Sequence, residues 1–197
     1  MAAPEISASI TVNAPTSKVW QRVTELSAMG DRSPQCKKMI LLPRRKASAG
    51  PDADTGSAAS EGNAGNSASV GTGSNATAPA PGTVTINLNR QGILWWPTWA
   101  VVTEVVPEKV FEFKIPLNGT RWRFELTPTA DGSQTAPTAD GSQTVLTEKR
   151  LAPGGKTSFI SRALVAVVLG GEEKFEASLQ EGIQQTVRAL AREAEDF

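Results

Sequence analysis

The chain has no histidine and no tyrosine, and a single cysteine among its 197 residues. Histidine is the side chain that titrates near neutral pH without help, and tyrosine is a common proton donor, so two standard acid–base groups are missing. Hydrolysis by a serine or cysteine that relies on a histidine base is excluded. Cys36 alone closes no internal disulfide, and without histidine or a cysteine cluster the sequence offers no zinc or transition-metal site and implies no cofactor. A reducing compartment suits that composition. Also absent is any run of about 18 apolar residues, which a spanning helix would need. The start, Met1 to Ile10, carries no basic stretch followed by an apolar core, so no secretory signal is read and a cytoplasmic location is expected. Charge of one sign is not in excess either: 20 acidic and 20 basic residues balance, and no global field draws the chain to nucleic acid. The basic group Lys37, Lys38, Arg44, Arg45 and Lys46 is the local exception. It reads as a solvated strand end, with phosphate binding as the alternative.

What is present is unevenly distributed. From Ala47 to Gly82 the chain is almost wholly Ala, Gly, Ser, Thr, Asn, Pro and Asp, with Val70 the only large aliphatic. Such a stretch buries too little apolar area to offset the entropy of ordering it, and a disordered insertion is expected over 47–82. It interrupts one domain spanning 1–197, because Met1 to Lys46 is too short for a core of its own. A nine-residue unit beginning Pro128-Thr129-Ala130-Asp131-Gly132 recurs at once from Pro137 to Val145. Its Asp-Gly pairs form turns, so 128–145 reads as a hairpin loop lengthened by duplication.

The remainder has a legible rhythm. Glu5 to Val12 alternates Ile6, Ala8, Ile10 and Val12 with serine and threonine, the mark of a half-buried strand. Pro15 suits the first turn of a helix carrying Val19, Trp20, Val23 and Leu26 on one face. Strands are expected over Lys37–Leu42, Thr83–Asn89, Ile93–Val106, Val110–Ile115, Thr120–Thr127 and about Thr144–Leu151, with Asn118-Gly119 as a hairpin turn. An apolar stretch from Ser158 to Leu169 precedes Gly170-Gly171. A long helix then runs from Glu172 nearly to the C-terminus, with Phe175, Leu179, Ile183, Val187, Leu190 and Ala194 spaced by three or four. The pattern predicts an α+β domain in which a curved antiparallel sheet holds that helix across its concave face.

Several short motifs occur in a telling order: Asn13-Ala14-Pro15 with Val19-Trp20, Ser33-Pro34-Gln35-Cys36, Asn89-Arg90-Gln91-Gly92, Trp96-Pro97-Thr98, Trp122-Arg123-Phe124-Glu125-Leu126, Leu146-Thr147-Glu148 and Leu169-Gly170-Gly171. In order and spacing the chain resembles bacterial members of the polyketide cyclase/dehydrase group of the START-like, or SRPBCC, superfamily. The resemblance implies a helix-grip (START-like/Bet v 1-like) fold of about six to seven strands wrapped around the long C-terminal helix, with two short helices after the first strand. It also implies a cavity between sheet and helix, used across that superfamily for lipids, sterols and polyketides. Asn87 stands where the resemblance leads one to expect glycine.

Alternation assigns faces to side chains. Phe111, Phe113 and Ile115 point inward, with Glu112 and Lys114 outside. Trp122, Phe124 and Leu126 likewise point inward, with Arg121, Arg123 and Glu125 outside. The long strand is apolar on both faces, and there the resemblance favours Trp96, Thr98, Ala100 and Val102 inward. Trp95 and Trp99, with Val101 and Val105, then face out, either as a surface for a homodimer or another protein partner or as ground covered by the insertion. Leu146 inward brings Glu148 inward. A carboxylate in an apolar cavity has its pKa raised and acts as an acid, a base or an anchor for a ligand's polar end; the alternative pairs it with a neighbouring Arg or Lys. The expected ligand wall is Asn89, Trp96, Thr98, Phe111, Phe113, Trp122, Phe124, Glu148, Phe175, Leu179 and Ile183. One carboxylate is thin equipment for catalysis. Binding or carriage of a small hydrophobic molecule is therefore the first reading, a cyclase/dehydratase the second, and a protein-interaction module without ligand the third.

Overall fold

The computed structural model describes residues 3–43, 78–129, 142–152 and 172–196, with side chains in the last segment from Glu176 onward. The low-complexity run up to Thr77, the Arg44-Arg45-Lys46 cluster, the duplicated turn over 130–141, the stretch Ser158–Leu169 and the Phe175 side chain lie outside the described residues. Seven strands are described: β1 (Glu5–Val12), β2 (Cys36–Leu41), β3 (Val84–Gln91), β4 (Leu94–Val106), β5 (Val110–Ile115), β6 (Thr120–Thr129) and β7 (Gln143–Leu151). They form one sheet in the order β1-β7-β6-β5-β4-β3-β2, and every adjacent pair is antiparallel. The chain thus runs from β2 to β6 by neighbouring hairpins, and β1 closes the far edge beside β7.

Between β1 and β2 lie α1 (Thr16–Thr24), a 3₁₀ turn (Leu26–Ala28) and α2 (Met29–Arg32). Pro15 precedes the first helical turn, and Val19, Trp20 and Val23 bury the face that helical spacing assigned them. Arg32 clasps these pieces to the final helix, α3 (Glu172–Glu195). Its side chain is buried, donates from Nη1 to the carbonyls of Arg22 at 2.7 Å and Glu25 at 3.1 Å, and reaches the carboxylates of Glu25 and Glu193, each at 2.8 Å. Every element around it has one polar group satisfied there.

The two halves of α3 do different work. Val187, Leu190, Ala191 and Ala194 join Val12, Val19, Val23, Leu26, Phe111, Phe124 and Leu146 in the main core. Leu179 and Ile183, one to two turns earlier, pack only with Ile6 and half-buried neighbours such as Trp122. The helix is therefore anchored by its C-terminal half, and its N-terminal half roofs a space that side chains leave unfilled. Among the described residues no helix is long and apolar enough to cross a membrane.

Irregularities in the sheet decide which side chains face that space. Pairing of β4 with β5 shifts register between Val102 and Glu104, leaving Thr103 as a bulge. The bulge reverses the expected orientation of Val105, which pairs with Phe111 and packs against the core, not the outer surface. Glu112 does sit on the outer face, yet it is buried: Arg121 and Arg123 cover it at 3.1 and 3.2 Å, and the bulged Thr103 hydroxyl donates to it at 2.8 Å. Burial alone pushes the Glu112 carboxyl up, but those three hydrogen bonds outweigh it and hold the group below its ordinary value. The β5–β6 connection is a four-residue turn, Pro116–Gly119, in which Gly119 takes the left-handed conformation at φ 73° and the Asn118 side chain accepts from the Thr120 N–H and hydroxyl.

Candidate functional site

The unfilled space is a cavity of about 160 Å³ between α3 and the concave face of the sheet. Three kinds of wall enclose it. Trp96, Phe113, Trp122 and Phe124 come from β4, β5 and β6 and supply the aromatic side, as alternation requires. Leu179, Gly182, Ile183 and Thr186 of α3 form the roof. Pro34 packs against the helix at Gly182, where a Cβ would meet the proline ring at 3.4 Å, an ordinary contact.

The third wall is polar and comes from β3, whose polarity is inverted relative to an ordinary half-buried strand. Thr85, Asn87, Asn89 and Gln91 turn inward, while Ile86 and Leu88 are exposed. Burying polar side chains in this way is costly unless they are hydrogen-bonded. Here they largely are: the Thr85 hydroxyl donates to Asn87 Oδ1 at 2.8 Å, and Asn89 Nδ2 donates to Thr98 Oγ1 at 3.0 Å and to the Trp96 carbonyl at 3.3 Å.

At the floor, β7 contributes two ionisable side chains, Glu148 and Arg150, each 4% exposed and each lining the cavity. Neither is neutralised by a contacting partner. Glu148 Oε2 and Arg150 Nη1 are buried without a hydrogen bond, and no ion pair among the described residues includes either group. No such ion pair joins Glu148 to a neighbouring Arg or Lys among the described residues, and the adjacent Lys149 faces outward and bonds Glu125 at 2.7 Å. Desolvation pushes the Glu148 carboxyl well above its usual range. It likewise lowers Arg150, partly offset by the charge of Glu176, whose carboxylate accepts from the Ala3 N–H.

Beside the cavity, the Gln35 and Gln91 side-chain amides each lie 3.5 Å from the Ser178 hydroxyl, and Gln91 Oε1 is buried without a partner. Adjacent to the cavity is a polar recess of about 430 Å³ that includes Lys37, Arg90 and Glu181. Pro34, Gln35 and Gly182 border both spaces.

Of the expected wall, Asn89, Trp96, Thr98, Phe113, Trp122, Phe124, Glu148, Leu179 and Ile183 line the cavity. Phe111 does not. It pairs with Val105 beyond the bulge and meets Trp20 edge-on at 6.3 Å, which places it in solid core under α1. Sequence reasoning missed Asn87 and Arg150. Both were within reach of the same alternation, two residues from Asn89 and from Glu148, but a charged residue in the interior is not what a hydrophobic pattern leads one to look for. Among the described residues no three Cys, Asp or Glu side chains are grouped to hold a metal ion. Cys36 also lines the cavity, and burial pushes its thiol up to about 11, so it stays protonated near neutral pH.

With this geometry the comparison with solved structures is decisive for architecture. A protein from Thermus thermophilus matches 97% of this chain over 97% of its own, at 12% identity and a TM-score of 0.55. The fold is the helix-grip fold. The Zhui aromatase/cyclase from Streptomyces sp. R1128 shares this helix-grip architecture over 97% of this chain and 93% of its own, at 14% identity and a TM-score of 0.50. The di-domain ARO/CYC BexL of the BE-7585A biosynthetic pathway matches 98% of the chain at 15% identity and a TM-score of 0.51, and the chain spans half of that protein's length. No family model and no curated protein matches the sequence. At these identities the likeness is one of fold.

Proposed function

We propose that this helix-grip domain binds a small, largely apolar molecule that carries an acidic or strongly hydrogen-bonding end. The observation that carries the reading is the pair Glu148 and Arg150, buried and unpartnered on the floor of a cavity whose other walls are apolar or already hydrogen-bonded. A buried cation without a partner is unfavourable in the empty protein, and an anionic or carbonyl oxygen from a ligand relieves that cost. When it carries its proton, the Glu148 carboxyl offers one donor and one acceptor to a hydroxyl or carbonyl on the same molecule. At about 160 Å³ the cavity matches a single ring, since an engineered cavity of about 150 Å³ accepts benzene. A longer chain extends past Gln35 and Gln91 into the polar recess.

The test is native mass spectrometry of protein purified from its own host, followed by mass analysis of whatever it releases on denaturation. Retention of a stoichiometric compound with an acidic end, lost in Arg150→Met while circular dichroism is unchanged, supports the reading. Empty protein, together with no thermal stabilisation by a panel of aromatic carboxylic acids, overturns it.

A second reading, cyclisation or dehydration of a bound polyketide, is favoured by the same Glu148. A carboxyl whose pKa burial raises holds its proton more tightly than an exposed one, which suits a general acid, and the folded chain of a substrate would supply the rest by proximity. The aromatase/cyclase names of two structural neighbours point the same way. Glu148→Gln separates the two readings: it keeps binding under both and abolishes turnover only under the second.

A further inference from the structure

The outer face of β2, β3 and β4 is unusual for a surface open to water. The strand register lines up Ile40, Ile86 and Trp99 in one row across the three strands, with Leu88 opposite Pro97 in the next and Arg90 opposite Trp95 beyond. Ile40, Ile86, Leu88, Trp95 and Trp99 are each between 39% and 48% exposed, so the row is one apolar patch and not a scatter of single residues. At its end the β3–β4 turn projects Ile93, which is 97% exposed, beside Gly92 in a left-handed conformation at φ 59°. The inversion of β3 that makes the cavity wall polar is also what turns Ile86 and Leu88 outward.

Charge singles out the same face. None of the 20 acidic residues falls within 33–43 or 78–103, the stretches that build it, while Lys37, Lys38 and Arg90 all do. Arg90 lies over the Trp95 ring at 5.1 Å, which leaves a cation poised at the rim of an aromatic surface. Across the rest of the sheet's outer face the pattern differs, because Glu104, Glu112 and Glu125 are matched there by Arg121, Arg123 and Lys149.

We infer that this face docks on an anionic lipid bilayer. Exposed tryptophans with a projecting aliphatic tip suit the headgroup boundary, and cations that form no ion pair among the described residues suit anionic headgroups. A two-fold pairing of two copies through the same face would set Lys38 and Arg90 near their own equivalents with no acid to separate them, so a self-complementary interface fits less well. Gln91 at the end of β3 and Gly92 in the turn both line the polar recess, and docking therefore brings that recess to the lipid. The inference stands on the outer face alone and does not require the cavity to be occupied.

The experiment is flotation of the full chain with phosphatidylcholine vesicles that contain or lack phosphatidylserine, read together with quenching of tryptophan fluorescence by brominated lipid. Binding to the anionic vesicles only, weakened by salt, is expected. The doubly substituted Ile93→Ser/Trp95→Ser and Lys38→Ser/Arg90→Ser variants, all at exposed positions, should each lower binding by roughly tenfold or more without changing circular dichroism or thermal midpoint. Equal flotation with and without phosphatidylserine, no quenching, or unchanged binding in both variants overturns the inference. So does a concentration-dependent dimer that Trp99→Ser dissociates and that vesicles do not compete with, because the face would then belong to a second copy.

Discussion

Glu148 illustrates how a single side chain acquires its chemistry from position. Its alternation with Leu146 puts it on the concave face while Lys149 takes the wet side. Its carboxyl is pushed up in the folded state, so the folded protein holds that proton more tightly than the unfolded chain does. Stability therefore falls as pH rises from the ordinary carboxylate value through the raised one. Glu148→Gln removes the effect: thermal denaturation of variant and native protein should differ least in acid, with the variant gaining on the native protein as pH rises through that window. A difference that stays flat with pH would show that Glu148 titrates normally. Arg150, one step along the same face, is the charged group to watch as a contributor.

At the scale of elements, the decisive contacts lie where backbones approach closely. Gly30 in α2 faces the backbone of β2, and a Cβ built there would stand 2.4 Å from the Lys37 carbonyl oxygen. Because the obstructing atom is main chain, Gly30→Ala must push α2 off the sheet, and a loss of about 1–3 kcal/mol, seen as a lower thermal midpoint, is expected. Strand β3 makes a different point. A hydrophobic pattern alone would point Ile86 and Leu88 inward, yet Asn87 and Asn89 face the cavity. The β4 register, fixed by Trp96, Thr98, Ala100 and Val102, outweighs the local preference, and the buried amides are repaid by bonds within their own wall.

Across the whole molecule, the division of α3 into an anchoring half and a roofing half allows the cavity to be altered without dismantling the core. Ile183→Phe adds bulk on the roofing half, away from the cluster around Val187, Leu190 and Ala194. The variant is expected to keep its circular dichroism spectrum while losing thermal stabilisation by small aromatic acids, as the phenyl ring occupies their place. Stabilisation equal to that of the native protein would show that ligands bind elsewhere.

The amphipathic rhythms of β1, β5, β6 and α3 were sufficient to set their faces, because each has one side that must be dry and one that must be wet. On them rest the helix across the sheet and the inward places of Phe113, Trp122, Phe124, Leu179 and Ile183. Three outcomes needed the tertiary structure. The bulge at Thr103 moved Val105 inward; Phe111 packed against Trp20 in the core and not in the ligand wall; and folding left Glu148 Oε2 and Arg150 Nη1 buried without hydrogen bonds. Each is a relation between separate elements of the chain, where register and desolvation override what any one segment prefers, and local periodicity carries no record of either.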